Sequence, residues 1–260
     1  MLERKRQVNY FRKRWESLFS HLHAFADYGD TEELHRVRME IKKIKALFSL
    51  QKNRVDGKNE RKHFKPICKL FDKAGKIRVA QINLELMHRF RITNSPLEKI
   101  QTHTLVGESE KLHSKIVRHE KNIRKEYSFF LDQFHNLENE RIRKSVGKEL
   151  KSLAKVFSGN MKVKQLHHSR MKLKNLIYAN EICSIRLPDE SQLNAVYIRK
   201  LEQMIGKWHD TVTAIALFEG NENGKKLMGE LKALRKKQLQ AIHFLTEDFK
   251  NKIVWRKSAE

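Results

Sequence analysis

Leu34-His35-Arg36-Val37-Arg38-Met39-Glu40-Ile41-Lys42 and Leu166-His167-His168-Ser169-Arg170-Met171-Lys172-Leu173-Lys174 carry one pattern, L-H-x-x-R-M-x-I/L-K, at a fixed offset. Farther along, Gly75-Lys76-Ile77-Arg78 lines up with Gly206-Lys207-Trp208-His209, displaced by nearly the same amount. Two matched segments in the same order mark an internal duplication. Working outward, apolar residues recur at helical spacing, which predicts helices over about residues 8–27, 31–50, 60–90 and 96–135, then about 137–157, 161–185, 191–218 and 225–253. Gly29-Asp30, the Thr93-Asn94-Ser95-Pro96 cluster and Ser158-Gly159-Asn160 separate them, and a further break is expected near Gly107. Thr31 reads as an N-cap followed by Glu32 and Glu33, and Pro96 suits the first position of its helix. With 3 prolines and 10 glycines in 260 residues, little interrupts the pattern. Four helical regions followed by four more predict an all-α chain of two four-helix halves, residues 1–136 and 137–260.

Charge gives the first functional clue. Lys and Arg number 55 against 31 acids, a formal net charge of +24 before any of the 13 histidines protonates. Such a surplus repels itself in the folded state, and a polyanion partner relieves it. Nucleic acid, an anionic membrane surface and polyphosphate all satisfy that requirement. No 18-residue apolar run exists and the N-terminus is charged, so a soluble, cytoplasmic protein is expected. Cys68 and Cys183 have no CxxC spacing and read as two buried thiols in a reducing compartment.

The repeated segment has a definite geometry once placed on a helix at about 100° per residue. His35, Arg38, Lys42 and Lys45 then fall within roughly an 80° arc. Leu34, Val37, Ile41, Ile44 and Phe48 cluster on the adjoining face, so the helix packs one side and presents a cationic stripe beside it. His167, Arg170 and Lys174 repeat the stripe, with Leu166, Leu173 and Leu176 as the apolar face. The chemistry suits phosphate. Arginine offers a planar fork for two oxygens, lysine a compact charge, and an imidazolium a further donor. Steps of three and four residues rise about 4.5–6 Å along a helix, so the row can meet successive phosphates of an extended chain. A charged stripe is ordinarily a solvated helix face; its duplication within so basic a chain favours function.

These residues resemble the CHAD family, the conserved histidine α-helical domain, across nearly the whole chain. The family's first signature, roughly H-x-x-R-V/I-x-x-R/K-R/K-I/L-R/K, is met by His35, Arg38, Met39, Lys42, Lys43, Ile44 and Lys45. Its second copy looks like His167, Arg170, Met171, Lys174, Leu176, Tyr178 and Glu181. The later pattern, Leu-Gly followed by a polar pair ending in Asp, resembles Ile205-Gly206-Lys207-Trp208-His209-Asp210. The resemblance implies two pseudo-symmetric four-helix bundles forming one unit around a basic central channel that binds inorganic polyphosphate. Asn175 and Ile177 replace basic residues usual in the second copy, which predicts a weaker grip there. Val79 replaces an Asp after Arg78, so the salt-bridge network that would orient the neighbouring cations is expected to be missing. No triphosphatase-type domain accompanies the motif in these 260 residues.

The sequence therefore predicts a non-catalytic binder of polyphosphate, needing no cofactor and gathering on polyphosphate granules. His35, Arg38, Lys42, Lys45, His167, Arg170 and Lys174 are its first candidates. Lys43, Arg78, Tyr178, Lys207 and His209 are its second rank. Bound anion is expected to raise the pKa of His35 and His167, strengthening binding as pH falls from about 7 to 6. A nucleic-acid-binding helical protein is the alternative, since basic charge alone gives weak, salt-sensitive nucleic-acid binding. Against it, Trp15, Trp208, Trp255 and most of the 14 phenylalanines sit at core spacing, whereas single-strand binders expose aromatics. His209-Asp210 hints at a metal-dependent phosphohydrolase, but that chemistry needs further ligands the sequence does not place nearby. In the last helix Lys232, Arg235 and Lys236 share a face and form a further basic patch.

Overall fold

A computed structural model describes residues 1–51, 57–92, 95–159, 161–183, 192–219 and 225–255. The protein is all-α, and the chain divides into two compact units, Met1–Leu137 and Glu138–Glu260. The first unit comprises α1 (Arg4–Tyr28), α2 (Thr31–Gln51), α3 (Gly57–Arg89), α4 (Pro96–His113) and the short α5 (Ile116–Arg124) and α6 (Tyr127–Asp132). The second comprises α7 (Asn139–Phe157), α8 (Val163–Cys183), α9 (Ala195–Phe218), α10 (Lys225–Thr246) and α11 (Phe249–Lys252). Two-residue strands, β1 (Gln192–Leu193) and β2 (Val254–Trp255), pair antiparallel in that unit. No described helix is long and apolar enough to cross a membrane.

Within the first unit α2 packs between α1 and α3, and α4 lies along α3. Helix α1 buries Phe11, Trp15, Leu18, Leu22 and Phe25, alternating steps of four and three that define one apolar face. Phe11 is the hub of an aromatic core, 5.1 Å from the Trp15 ring and 5.4 Å from Phe134, with Phe48 and Phe130 at 6.1 and 5.9 Å. The buried Gln7 amide closes the unit by donating to the carbonyls of Leu2 (3.1 Å) and His135 (2.7 Å). Helix α1 ends at Gly29, whose φ of 69° is the left-handed conformation glycine adopts without steric cost. In the second unit α8 packs between α7 and α9, and α10 lies along α9.

Several boundaries differ from the sequence expectation. Asp30, not Thr31, caps α2: its Oδ1 accepts from the Glu32 N–H at 2.9 Å, and Thr31 is already helical. Helix α3 begins at Gly57, so Pro66 lies well inside it. The region after Pro96 runs straight through Gly107 and breaks instead at Ser114-Lys115 and Lys125-Glu126. A lone glycine weakens a helix by about 1 kcal/mol but does not stop it. The breaks re-aim the chain so that Leu112, Ile116, Ile123 and Phe130 all bury their side chains. Helix α10 stops at Thr246, short of the expected end near Ile253, and Asp248 beyond it takes φ 54°, a conformation Asp tolerates better than most residues. Ser95 caps α4 by accepting from Glu98 N–H at 3.1 Å, with Pro96 first in the helix. Trp15 and Trp208 are core residues, whereas Cys68 and Cys183 are half-buried rather than buried. Thr93, Asn94, Asn160, Ile185 and Ser191 lie outside the described residues.

Candidate functional site

In the first unit α2 carries the stripe and α3 receives it. Arg38 reaches across to α3 at Gly75, where any side chain would collide: a Cβ there would lie 3.3 Å from the guanidinium carbon and closer still to Nη1. The glycine is a notch for the arginine. One turn back on α3, Phe71 offers its carbonyl to Arg38 Nη1 and its ring to the guanidinium, 3.9 Å from the centroid. Lys45 and Lys42 lie over the same ring, their Nζ atoms at 5.0 and 5.9 Å. Three stripe cations thus converge on one aromatic face, which attracts positive charge without cancelling it. Burial, and the nearby Arg78, lower the Arg38 pKa from its usual value while Asp72 opposes them, yet a guanidinium stays charged at neutral pH. An open groove of about 580 Å³ begins at this point, lined by Arg38, Phe71, Gly75, Lys76, Gln101 and Glu108 among others.

His35 and Arg78 mark the other end of this stripe. Arg78 pairs with Glu32, at the start of α2, and lies 3.7 Å from Glu85. Burial pushes the Glu32 carboxyl up, but the hydrogen bond from Gln81 (2.6 Å) and the charges of Arg78 and His35 win and hold it below the usual range. An ion-pair network is therefore present around Arg78 although Val79 supplies no acid, contrary to the expectation from that substitution. Acids from α2 and from two turns farther along α3 stand in for it. Lys43 turns away from the stripe, 2.7 Å from the buried Glu40, which also holds Arg14 of α1 at 3.3 Å.

The second unit repeats the central feature. Arg170 of α8 lies against Gly206 of α9, where a Cβ would sit 2.9 Å from its Nη2 and 3.2 Å from Cζ. One turn back, Glu202 takes Arg170 Nε at 2.8 Å and Lys174 Nζ at 3.3 Å. His167 Nδ1 lies 3.2 Å from His209 Nε2, so one of these rings donates to the other. Burial first, then His167 and Arg170, push the His209 pKa below the usual histidine value against a smaller pull from Asp210. Lys207 is exposed beside the glycine, and Tyr178 is buried within the unit with 6% of its surface accessible. Lys232, Arg235 and Lys236 are all exposed on α10. Among the described residues no group of three or more His, Cys, Asp or Glu is placed to hold a metal ion.

Three features of these sites escape a reading of the stripes alone. The notch role of Gly75 and Gly206 was signalled by their matched positions, and Phe71 and Glu202 become visible when that match is extended one turn upstream. The third is a basic cluster around the half-buried His119 of α5, whose pKa is lowered first by burial and then by Lys73, Lys69, Arg118 and Lys115.

An arginine of one helix seated in a glycine notch of the next, with lysine and histidine on the arginine's own helix, occurs once in each unit. The chain belongs to the CHAD family, whose domain model matches residues 9–219. No curated protein sequence matches it. Among solved structures it is similar to PptA from Streptomyces chartreusis, with a TM-score of 0.64 and 11% identity, covering 95% of this chain and 98% of that one. At that identity the likeness is one of fold.

Proposed function

We propose that the protein binds inorganic polyphosphate without chemically altering it, through the stripe of His35, Arg38, Lys42 and Lys45 in one unit and of His167, Arg170 and Lys174 in the other. The observation that carries this reading is the recurrence of the Arg-in-glycine notch, with lysine beside it, in both units. A seated guanidinium has already given up much of its rotamer freedom, so less is lost when it grips phosphate oxygens. The formal charge of +24 supplies long-range attraction for so dense a polyanion. CHAD membership supports the choice of polyphosphate over other anions. Arg78 and Lys207 add charge near the notches and His209 adds a titratable ring, whereas Lys43 serves the contact of α1 with α2.

Competition tests this choice. Labelled polyphosphate bound to the protein should be displaced by unlabelled polyphosphate and hardly at all by RNA at equal phosphate concentration. Its chain length should stay unchanged on a gel after incubation with magnesium. Equal displacement by RNA, or progressive shortening, would contradict the proposal.

A further inference from the structure

The two stripes are backed by different residues at the same place. Four residues before the notch glycine stands Phe71 on α3, and Glu202 on α9. Each touches the notch arginine and the lysine one turn further along the stripe: Phe71 meets Arg38 at 3.9 Å and Lys42 at 5.9 Å, Glu202 meets Arg170 at 2.8 Å and Lys174 at 3.3 Å. One position is thus filled by an aromatic ring in one unit and by a carboxylate in the other. Building on the polyphosphate reading, we propose that this exchange makes the two units unequal, with the Phe71-backed stripe the tight polyphosphate contact and the second stripe restrained by Glu202.

The physical difference lies in what each backing residue does to charge. A ring holds a guanidinium or ammonium by its quadrupole and leaves the full positive charge to attract an anion. The carbonyl that takes Arg38 Nη1 is likewise neutral. Asp72 follows Phe71 and its charge acts on Arg38, but it is exposed to water that screens it, and among the described ion pairs none involves Arg38. Glu202, by contrast, brings a formal negative charge within 3.3 Å of two stripe cations. It also occupies Arg170 Nε, one corner of the fork that would otherwise take a phosphate oxygen. Glu202 exposes 13% of its side chain, and Arg170 and Lys174 expose 27% and 23%, so the repulsion acts where water screens it incompletely.

The opposite ends of the stripes are arranged the other way. In the first unit Glu32 draws on Arg78 near His35, while the residue at the matching place on α8 is the exposed Lys164. The second unit thus has an exposed lysine, rather than an acid, at its His167 end. Polyphosphate should therefore lean on Arg38 and Lys45 in the first unit, and on the histidine end in the second.

Titration of the full chain with inorganic polyphosphate of a single chain length decides the matter, using Glu202→Gln, Phe71→Glu and Phe71→Leu beside wild type. Glu202→Gln should tighten binding by about tenfold, the effect of one like charge removed at this range from a partly desolvated site. Phe71→Glu should weaken it by about the same factor, and Phe71→Leu by much less. Unchanged or weaker binding in Glu202→Gln would overturn the proposal, because Glu202 would then position Arg170 rather than restrain it. Glu202→Gln is nearly isosteric, so it carries the test alone if thermal melting shows Phe71→Glu misfolded. Failure of the wild type to bind polyphosphate would sink the functional reading itself. Wild-type binding with no response to Glu202→Gln would sink this inference alone.

Discussion

At the scale of single residues, the proposed binding should take its pH dependence from the histidines. The His209 ring shares a hydrogen bond with His167 and its pKa is lowered by burial and by the positive groups beside it. Near neutral pH it is therefore mostly uncharged. A polyphosphate arriving beside it replaces repulsion with attraction and raises that pKa, so binding takes up a proton. Affinity should rise as pH falls from about 8 to 6, and His209→Gln should flatten the slope, measured by titration at several pH values. A slope identical in wild type and variant would contradict the role of His209. The unliganded protein shows the opposite sign. The unfolded chain binds the proton more readily than the folded one, so the depressed pKa of His209, like that of His119, costs stability as pH falls below about 6.5. The stripe cations were legible in the sequence because helical spacing puts them on one arc. Their partners Phe71 and Glu202 lie on another helix, where spacing within the stripe helix says nothing, and only the matched glycines four residues on point to them.

Between elements, the seat of the α2 arginine on α3, and of the α8 arginine on α9, depends on a missing methyl group. Gly75 and Gly206 are interior helical positions where alanine is favoured by propensity, by about 1 kcal/mol. A Cβ at either would intrude on the arginine. Gly75→Ala should thus melt no lower than wild type, since the displaced atoms are the tip of a flexible side chain. Its polyphosphate affinity should nonetheless drop by about tenfold, the worth of one charge-assisted hydrogen bond. Thermal melting paired with titration checks both, and undiminished affinity would remove the notch from the account. Helix ends announced by Gly29, Ser95 and Pro96 were readable because those residues have strong local preferences. The breaks at Ser114-Lys115 and Asp248 carry no Gly or Pro; the first serves the burial of Leu112 and Ile116, which depends on the core the chain wraps.

For the whole molecule, composition and duplication were the informative signals. Three prolines, ten glycines and recurrent helical periodicity specify an all-α chain, and the charge surplus favours an anionic partner. The fold class follows from such global quantities because they average over local errors of boundary. Polyphosphate as that anion is our proposal, supported by the two notches and by membership of the CHAD family. Diffuse attraction by 55 basic residues is the rival account, and it predicts that every lysine and arginine counts about equally. The two notch arginines and the exposed α10 lysines separate these accounts, since each double substitution removes the same charge. Calorimetric titration with long-chain polyphosphate should show Arg38→Ala/Arg170→Ala losing on the order of a hundredfold in affinity, from two charge-assisted contacts, and Lys232→Ala/Lys236→Ala losing only severalfold. Equal, small losses in the two variants would contradict a site built on the repeated stripes.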